Sequence, residues 1–95
     1  MIDDPLRPLL SVYGRPGCHL CEEAEQVLQA ALEDRVRRGE PVPRVRHVSI
    51  EGDADLESRY GALIPVVVVG TDQLDLVISE RRLRAFLDSV LPQVA

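Results

Sequence analysis

The stretch YGRPGCHLC, residues 13–21, decides how this 95-residue chain folds. An apolar run, Leu9 to Tyr13, leads into it, and two glycines and a proline then interrupt regular structure. From Cys18 onward, apolar residues recur at spacings of three and four, which is typical of an amphipathic helix. The stretch therefore predicts a buried strand that passes through a tight turn into the first helix, with two cysteines where that helix begins.

The first helix is predicted to continue to about Arg38, because Gly39 and Pro41 then supply a stop. Its apolar stripe consists of Leu20, Ala24, Val27, Leu28, Ala31 and Leu32. Residues 44–50 mix valine and isoleucine with arginine and histidine. This mixture favours a partly exposed strand at an edge of the sheet.

The second half of the chain predicts two strands and two helices. Asp53 can cap a short helix that ends at Gly61, a candidate left-handed terminator. The four valines Val66–Val69 predict a strand covered on both faces. After a turn, residues 74–78 predict an edge strand, and Ser79 caps a last helix. The order β-α-β-α-β-β-α predicts an α/β fold, with a four-stranded mixed sheet flanked by helices.

Composition limits the size and the partners of the protein. With 45% hydrophobic and 28% charged residues, the chain predicts a single folded domain over residues 1–95, with residues 1–8 as a flexible leader. A net charge of -5 disfavours nucleic acid and anionic membrane surfaces, and only three aromatic residues disfavour base stacking. Without a signal peptide or an apolar span, we expect a soluble cytoplasmic monomer.

Cys18 and Cys21, the two cysteines of the chain, carry the candidate chemistry. Residues three apart at a helix start lie on nearly the same face, close enough for a disulfide. Unpaired amides and the helix dipole favour an anion at Cys18, so its thiol pKa is expected to fall below the free value of about 8.5. We therefore predict Cys18 as the nucleophile and Cys21, one turn inward, as the protonated resolving thiol.

Two other functions are compatible with the cysteine pair. A Cys-x-x-Cys pair is also half of a zinc site, but zinc needs four ligands and the chain adds only His19 and His47. His19 lies between the cysteines and cannot easily join them, so the pattern favours redox chemistry and predicts no metal ligands. The alternatives are an iron-sulfur carrier in which Cys18 ligates a cluster shared between two chains, and a non-catalytic interaction module.

The segment from Tyr13 to Cys21, followed by Ile64-Pro65-Val66, resembles the glutaredoxin branch of the thioredoxin-like fold, especially the short glutaredoxin-like proteins. The resemblance covers nearly the whole chain. It implies a thiol-disulfide oxidoreductase that acts on protein or small-molecule disulfides and holds no tightly bound cofactor. It also implies a disulfide-bearing substrate and a thiol reductant system as partners, with glutathione as a candidate co-substrate.

The resemblance also implies residues that bind the substrate. Glutaredoxins carry a tyrosine and a basic residue at the places of Tyr13 and Arg15. Their cis-proline, opposite the redox pair, maps onto Pro65, since X-Pro bonds are the usual site of cis peptides. The backbone of Ile64 would then pair with a bound substrate chain. From its position alone, His19 is a further candidate, because a protonated imidazole there would stabilise a thiolate.

The sequence departs from glutaredoxins at two places. His19-Leu20 stands where glutaredoxins usually have Pro-Tyr between the cysteines. Gly70-Thr71-Asp72 and Ser79-Glu80 match their Gly-Gly and Asp glutathione motif only in part. The source of electrons therefore stays open between glutathione and a thioredoxin-type reductase.

Several of these residues also have a purely structural interpretation. Tyr13 equally fits core packing. Pro65 could begin a strand, although its place before four valines favours the cis form. His47, on the predicted edge strand, is interpreted as a surface residue. The arginines at the start of the last helix are interpreted as a solvated face: Arg81, Arg82 and Arg84.

Overall fold

A computed structural model describes residues 7–77 and 79–91. Its elements are β1 (Leu9–Gly14), α1 (His19–Arg37), β2 (Arg44–Ser49), α2 (Ala54–Tyr60), β3 (Val66–Val69), β4 (Asp72–Leu74) and α3 (Glu80–Val90). This is the predicted element order, and the α/β class is confirmed. In the described ranges no helix is both long and apolar enough to cross a bilayer.

The four strands form one mixed sheet in the order β2-β1-β3-β4. β1 pairs in parallel with β2 and antiparallel with β3, and β4 is antiparallel to β3. A parallel pair needs a crossover connection, which α1 supplies between β1 and β2. β1 and β3 are therefore central and β2 and β4 lie at the edges, as the sequence predicts.

Each face of the sheet carries its own core. Side chains alternate along a strand, so β1 and β3 each contribute to both faces. The core on the side of α1 and α3 includes Leu10, Val12, Leu28, Ala31, Val67, Val69, Leu83 and Leu87. On the other face, Ile50, Tyr60 and Val66 form the core that α2 covers. The run of four valines is thus covered on both sides, as expected for a central strand.

The last strand is shorter than the sequence predicts. β4 spans Asp72–Leu74, whereas the pattern predicted 74–78. Leu76 has a φ of 49°, a left-handed conformation that interrupts extended backbone. Ile78, the predicted end of the strand, lies outside the described residues.

Gly61 is the C-cap of α2, but its conformation is not the one predicted. Its φ and ψ are -53° and -37°, in the right-handed helical region, and its amide donates to the carbonyl of Glu57 at 2.8 Å. A Cβ on Gly61 would lie 2.5 Å from that carbonyl oxygen. Close approach of the backbone requires the glycine, so the prediction of a left-handed terminator was wrong.

The predicted leader, 1–8, extends too far into the chain. Arg7 donates to two backbone carbonyls of the segment before β2, at 2.9 and 3.1 Å. The carbonyl of Pro8 accepts from the amide of Arg44 at 2.8 Å. These two residues therefore belong to the folded part, and residues 1–6 lie outside the described ranges.

Candidate active site

Cys18 and Cys21 form a disulfide at the N-terminus of α1, with their Cα atoms 5.2 Å apart. Cys18 is the N-cap of the helix, and its Sγ accepts a hydrogen bond from the amide of Cys21 at 3.2 Å. An oxygen of Ser, Thr, Asp or Asn usually fills this position. Here the sulfur is the acceptor, and the same amide donor and the helix dipole favour a thiolate at Cys18 when the pair is reduced.

The turn between β1 and α1 presents the cysteine pair. The amide of Cys18 donates to the carbonyl of Arg15 at 3.4 Å. Gly17 has a φ of 74°, a conformation that L side chains rarely adopt. At Gly14 the requirement is space, because a Cβ there would lie 3.0 Å from the Sγ of Cys21. The two glycines thus let the chain turn and let Cys21 pack against the end of β1.

Cys18 and Cys21 have different neighbours but a similar degree of burial. Both are half-buried in the disulfide form, so the expected inward burial of Cys21 is not seen as a difference in exposure. Cys18 caps the helix, whereas Cys21 lies against Gly14. The assignment of Cys18 as nucleophile and Cys21 as resolving thiol rests on these positions and stays a prediction.

The Ile64-Pro65 peptide bond is cis, and Pro65 is fully buried. β1 and β3 pair up to Tyr13 and Val66, so Gly14 and Pro65 are the next neighbours in register. Gly14 is also the residue that contacts the second cysteine. The sheet therefore brings the proline to the end of β1 where the cysteine pair lies.

Tyr60 contacts two of the predicted substrate-binding residues. The Tyr13 ring packs on the Tyr60 ring, with centroids 4.5 Å apart and planes inclined at 31°. The amide of Ile64 donates to the carbonyl of Tyr60 at 3.0 Å. Tyr13 thus shows the core packing that was its structural interpretation. A substrate chain that pairs with Ile64 would use its carbonyl or displace the existing bond.

A groove of about 390 Å³ opens beside the disulfide. Its lining includes Cys18, Cys21, Glu22 and Glu25 from the start of α1, and His47 and Ser49 from β2. The Oε1 of Glu25 and the Nε2 of His47 lie 3.2 Å apart, with each side chain more than half exposed. The sequence interpretation treated His47 as a surface residue alone, whereas the structure places it in the groove of the cysteines.

Arg15 and His19 differ in their position relative to the groove. Arg15 is exposed and lines the groove. The His19 side chain is 92% exposed, its Nδ1 lies 3.7 Å from a carboxylate oxygen of Glu22, and it is not part of the groove lining. Of the predicted polar residues, the structure brings Arg15 to the cysteines and leaves His19 in solvent. Within residues 7–77 and 79–91, no three His, Cys, Asp or Glu side chains are grouped to hold a metal ion.

The arginines at the start of α3 are not all solvated. Arg84 donates to a carboxylate oxygen of Asp34 on α1 at 2.8 Å and lies 3.4 Å from Glu80. This hydrogen bond is the largest cause that lowers the pKa of Asp34, and the charge of Arg38 adds to it. The same hydrogen bond raises the pKa of Arg84. One arginine of the cluster therefore ties α3 to α1, far from the cysteines along the helix.

Comparisons with known proteins agree with this geometry. The family model described as Glutaredoxin-like domain (DUF836) matches residues 9–89. The crystal structure of protein XcR50 from X. campestris is 37% identical, covers 84% of this chain and 96% of its own, and has a TM-score of 0.69. Protein Ne2328 from Nitrosomonas europaea is 23% identical, covers 97% and 100%, and has a TM-score of 0.67.

A thioredoxin shares the fold at lower identity. Deadhead from Drosophila melanogaster is 14% identical, covers 90% of this chain and 82% of its own, and has a TM-score of 0.59. None of the curated proteins matches by sequence. The predicted thioredoxin-like fold is confirmed. The family match runs from β1 nearly to the end of α3 and includes both cysteines. The chain therefore belongs to the glutaredoxin-like domain family, and Cys18 and Cys21 are its Cys-x-x-Cys pair.

Proposed function

We propose that this protein is a thiol-disulfide oxidoreductase that exchanges disulfides with proteins or small molecules. The observation that carries the proposal is the Cys18–Cys21 disulfide at the start of α1, beside an open groove. A half-buried disulfide at a helix N-terminus is within reach of an external thiol, and a reduced pair there holds a thiolate. We place the protein in the cytoplasm, where thiol reductants return such a pair to its reduced form.

The exchange has two steps. The Cys18 thiolate attacks one sulfur of the substrate disulfide, so that a bond between Cys18 and the substrate forms while the substrate S–S bond breaks. The departing thiolate takes a proton from water. Cys21 then loses its proton to water and attacks the Cys18 sulfur, the mixed disulfide breaks, and the second substrate thiolate leaves and is protonated. Two electrons pass to the substrate, and the product is the oxidised pair that the structure shows.

Residues around the pair act on the first of these steps in both directions. The Cys21 amide donates to the Cys18 sulfur, and Arg15 is among the residues that line the groove. Glu22 and Glu25 line the same groove and oppose an additional negative charge. The reductant is defined by class: one dithiol, or two monothiols such as glutathione, restores the pair by the reverse exchange.

Turnover of a disulfide tests the proposal. Reduction of hydroxyethyl disulfide and of a disulfide-bonded peptide is followed with a dithiol supply and, separately, with glutathione. We expect turnover by the wild type, background rates for Cys18→Ser, and a trapped mixed disulfide on Cys18 for Cys21→Ser. Ser58→Ala, at an exposed position on α2, is the matched control and is expected to keep the wild-type rate. Absence of turnover with both supplies, or full turnover by Cys18→Ser, would exclude the proposal.

The same preparation separates the two alternative functions. Anaerobic reconstitution with iron and sulfide that yields a coloured species dependent on Cys18 would identify an iron-sulfur carrier. A Cys18–Cys21 disulfide that cannot be reduced and re-formed at potentials from about -300 to -120 mV would identify a non-catalytic module. An oxidoreductase is expected to stay colourless and to titrate reversibly in that range.

A further inference from the structure

A second groove continues from the groove of the cysteines along α1. Its volume is about 320 Å³, and it shares Glu25 and His47 with the first groove. Beyond these two residues its lining is mainly apolar: Leu28, Leu32 and Val36 from α1, Val42 and Pro43 from the segment before β2, and Val45 from β2. Val36 and Val45 remain 62% and 39% exposed. We use the term long groove for the two together; it runs from Cys18 to Val36.

The walls of the long groove have the dimensions of an extended peptide. Three alternate residues of β2 line the long groove from one face of the strand: Val45, His47 and Ser49. Val48 also lines it near the cysteines. Between Cys18 and Val36 the helix rises about 27 Å, the length of about eight extended residues. In the described part of the chain, β2 is also an edge strand with a strand partner on one side alone. Backbone groups on its other side are suited to a further strand.

The long groove is acidic. Glu22, Glu25 and Glu33 line it, and among the described lining residues Arg15, at the cysteine end, is the one arginine. The whole chain carries a net charge of -5. Carboxylates along a groove of low polarity attract a cationic ligand and repel an acidic one.

We propose that the long groove binds the polypeptide segment of a disulfide-bearing substrate protein, an inference that rests on the proposed oxidoreductase function. The segment is extended, pairs its backbone with the open edge of β2, and carries its half-cystine to Cys18. An apolar side chain lies between Val36 and Val45, and a lysine or arginine lies beside Glu25 or Glu33. Strand addition supplies affinity, and the alternate side chains supply specificity. A small disulfide would use the cysteine end alone.

The ratio of two rates tests this inference. kcat/KM is measured for a disulfide peptide with a basic and apolar segment of about eight residues, and for hydroxyethyl disulfide. Val36→Glu, Val45→Glu and the double variant are expected to lower the ratio of peptide to small-disulfide kcat/KM about tenfold, because an apolar contact is lost. Both positions are exposed, so the variants should fold. Glu33→Gln is expected to lower the ratio for the basic peptide and to raise it for an acidic counterpart.

Leu76→Glu is the matched control. Leu76 is 42% exposed, but it follows β4 at the opposite edge of the sheet, where its amide donates to the carbonyl of Leu63. Its ratio should equal that of the wild type. A ratio lowered by Leu76→Glu and not by the Val36 and Val45 variants would move docking to the proline side of the cysteines. A concentration-dependent dimer that Val36→Glu dissociates, seen by sedimentation, would assign the long groove to a second copy. Either result would overturn the inference.

The outcomes also separate this inference from the function on which it rests. If the wild type reduces neither disulfide, the proposed function fails. If it reduces both and the groove variants leave the ratio unchanged, the oxidoreductase function stands and the docking site is wrong.

Discussion

The polar groups at the two ends of α1 have different surroundings. At the N-terminus, the sulfur of Cys18 accepts from the Cys21 amide, and both residues are half-buried at an open groove. Near the C-terminus, the side chain of Arg35 is 1% exposed, donates to the carbonyl of Pro41 at 2.9 Å and to Asp88 at 3.1 Å, and lies 3.4 Å from a second carboxylate. At one end the cysteine pair lies at an open groove, and at the other end a buried charge is paired inside the protein.

This difference shows how a helix can present a cysteine at an open groove and still be held in position. Arg35 joins α1 to the loop before β2 and, through Asp88, to α3. Arg84 adds a second tie from α3 back to Asp34. These contacts gather in the last turns of α1. In its first turn, the ion pair between His19 and Glu22 lies within the helix itself. The fold is held at one end of the helix, and the cysteine pair lies at the other.

Arg35→Ala should have the largest effect on stability. The substitution removes a buried guanidinium and leaves the carboxylates of Glu40 and Asp88 without this cation. We expect a loss of about 3 kcal/mol in the free energy of unfolding, from lost charge pairing and lost packing of the alkyl chain. Urea denaturation of the oxidised protein measures it. The variant that remains folded should still turn over disulfides, because the cysteines are at the other end of α1.

Arg37→Ala is the control for this prediction. Arg37 lies in the same last turn, but its side chain is 69% exposed and its ion pair with Asp34 is at the surface. Its substitution should change the free energy of unfolding by less than about 0.5 kcal/mol. Equal losses for the two arginines would show that burial of Arg35 is not what holds this end of the helix.

Gly14→Ala acts at the cysteine end and should have a smaller effect. A new Cβ would lie 3.0 Å from the Sγ of Cys21 and 3.3 Å from its Cβ, so that Cys21 must move. We expect about 1 kcal/mol of destabilisation and a slower second step, in which Cys21 resolves the mixed disulfide. Stopped-flow measurement of the two steps checks this, and the first step should keep its rate.

Gly70→Ala is the control that separates backbone strain from contact with Cys21. Gly70 has a φ of 61°, and a Cβ there would meet no heavy atom within 4 Å. Alanine at this turn should therefore lower the free energy of unfolding about as much as Gly14→Ala does, through its backbone conformation alone. Both exchange steps should keep their rates. A resolving step slowed equally by the two substitutions would mean that lost stability, and not contact with Cys21, controls it.

Local patterns were sufficient to predict most elements and the cysteine site. The caps at Asp53 and Ser79 accept from Leu56 and Arg82 as their positions predict. The spacing of the cysteines at a helix start was enough to predict a disulfide. These features depend on residues within one or two turns of each other, which a sequence shows directly.

Features that depend on packing between elements were missed. Arg35 continues the apolar stripe of α1 at helical spacing from Leu28 and Ala31, a signal that it faces the core, although arginine is seldom fully buried. His47 alternates with Val45 and Ser49, yet its place in the groove depends on α1 lying over the edge of the sheet. A glycine at the end of a helix can serve a left-handed turn or a close approach of the backbone, and the sequence at Gly61 does not distinguish the two.

Arg84→Gln should give a pH-dependent loss at the C-terminal end of α1. Arg84 is the main cause that lowers the pKa of Asp34 below its unfolded value of 3.8. A carboxylate with a lowered pKa stabilises the fold above its unfolded pKa, and that contribution disappears as the pH falls through the folded pKa. We expect a lower Tm for Arg84→Gln at neutral pH and a shrinking difference from the wild type below pH 3.8. Arg81→Gln, at an exposed position, is the control. A difference that stays constant through this range would contradict the prediction.

His19→Gln should have the smallest effect, although His19 lies between the cysteines. Its imidazole is in solvent, 3.7 Å from the Glu22 carboxylate, which offsets its charge when it is protonated. The rate of Cys18 alkylation is expected to change less than about twofold, as for other exposed pairs. Arg15→Gln, which removes a cation from the groove lining, should lower that rate more. If His19→Gln lowered the alkylation rate as much as Arg15→Gln, the histidine side chain would be shown to stabilise the Cys18 thiolate through its charge. The cysteine end of α1 would then depend on side-chain charge, as the other end does, and not on the backbone amides at its cap.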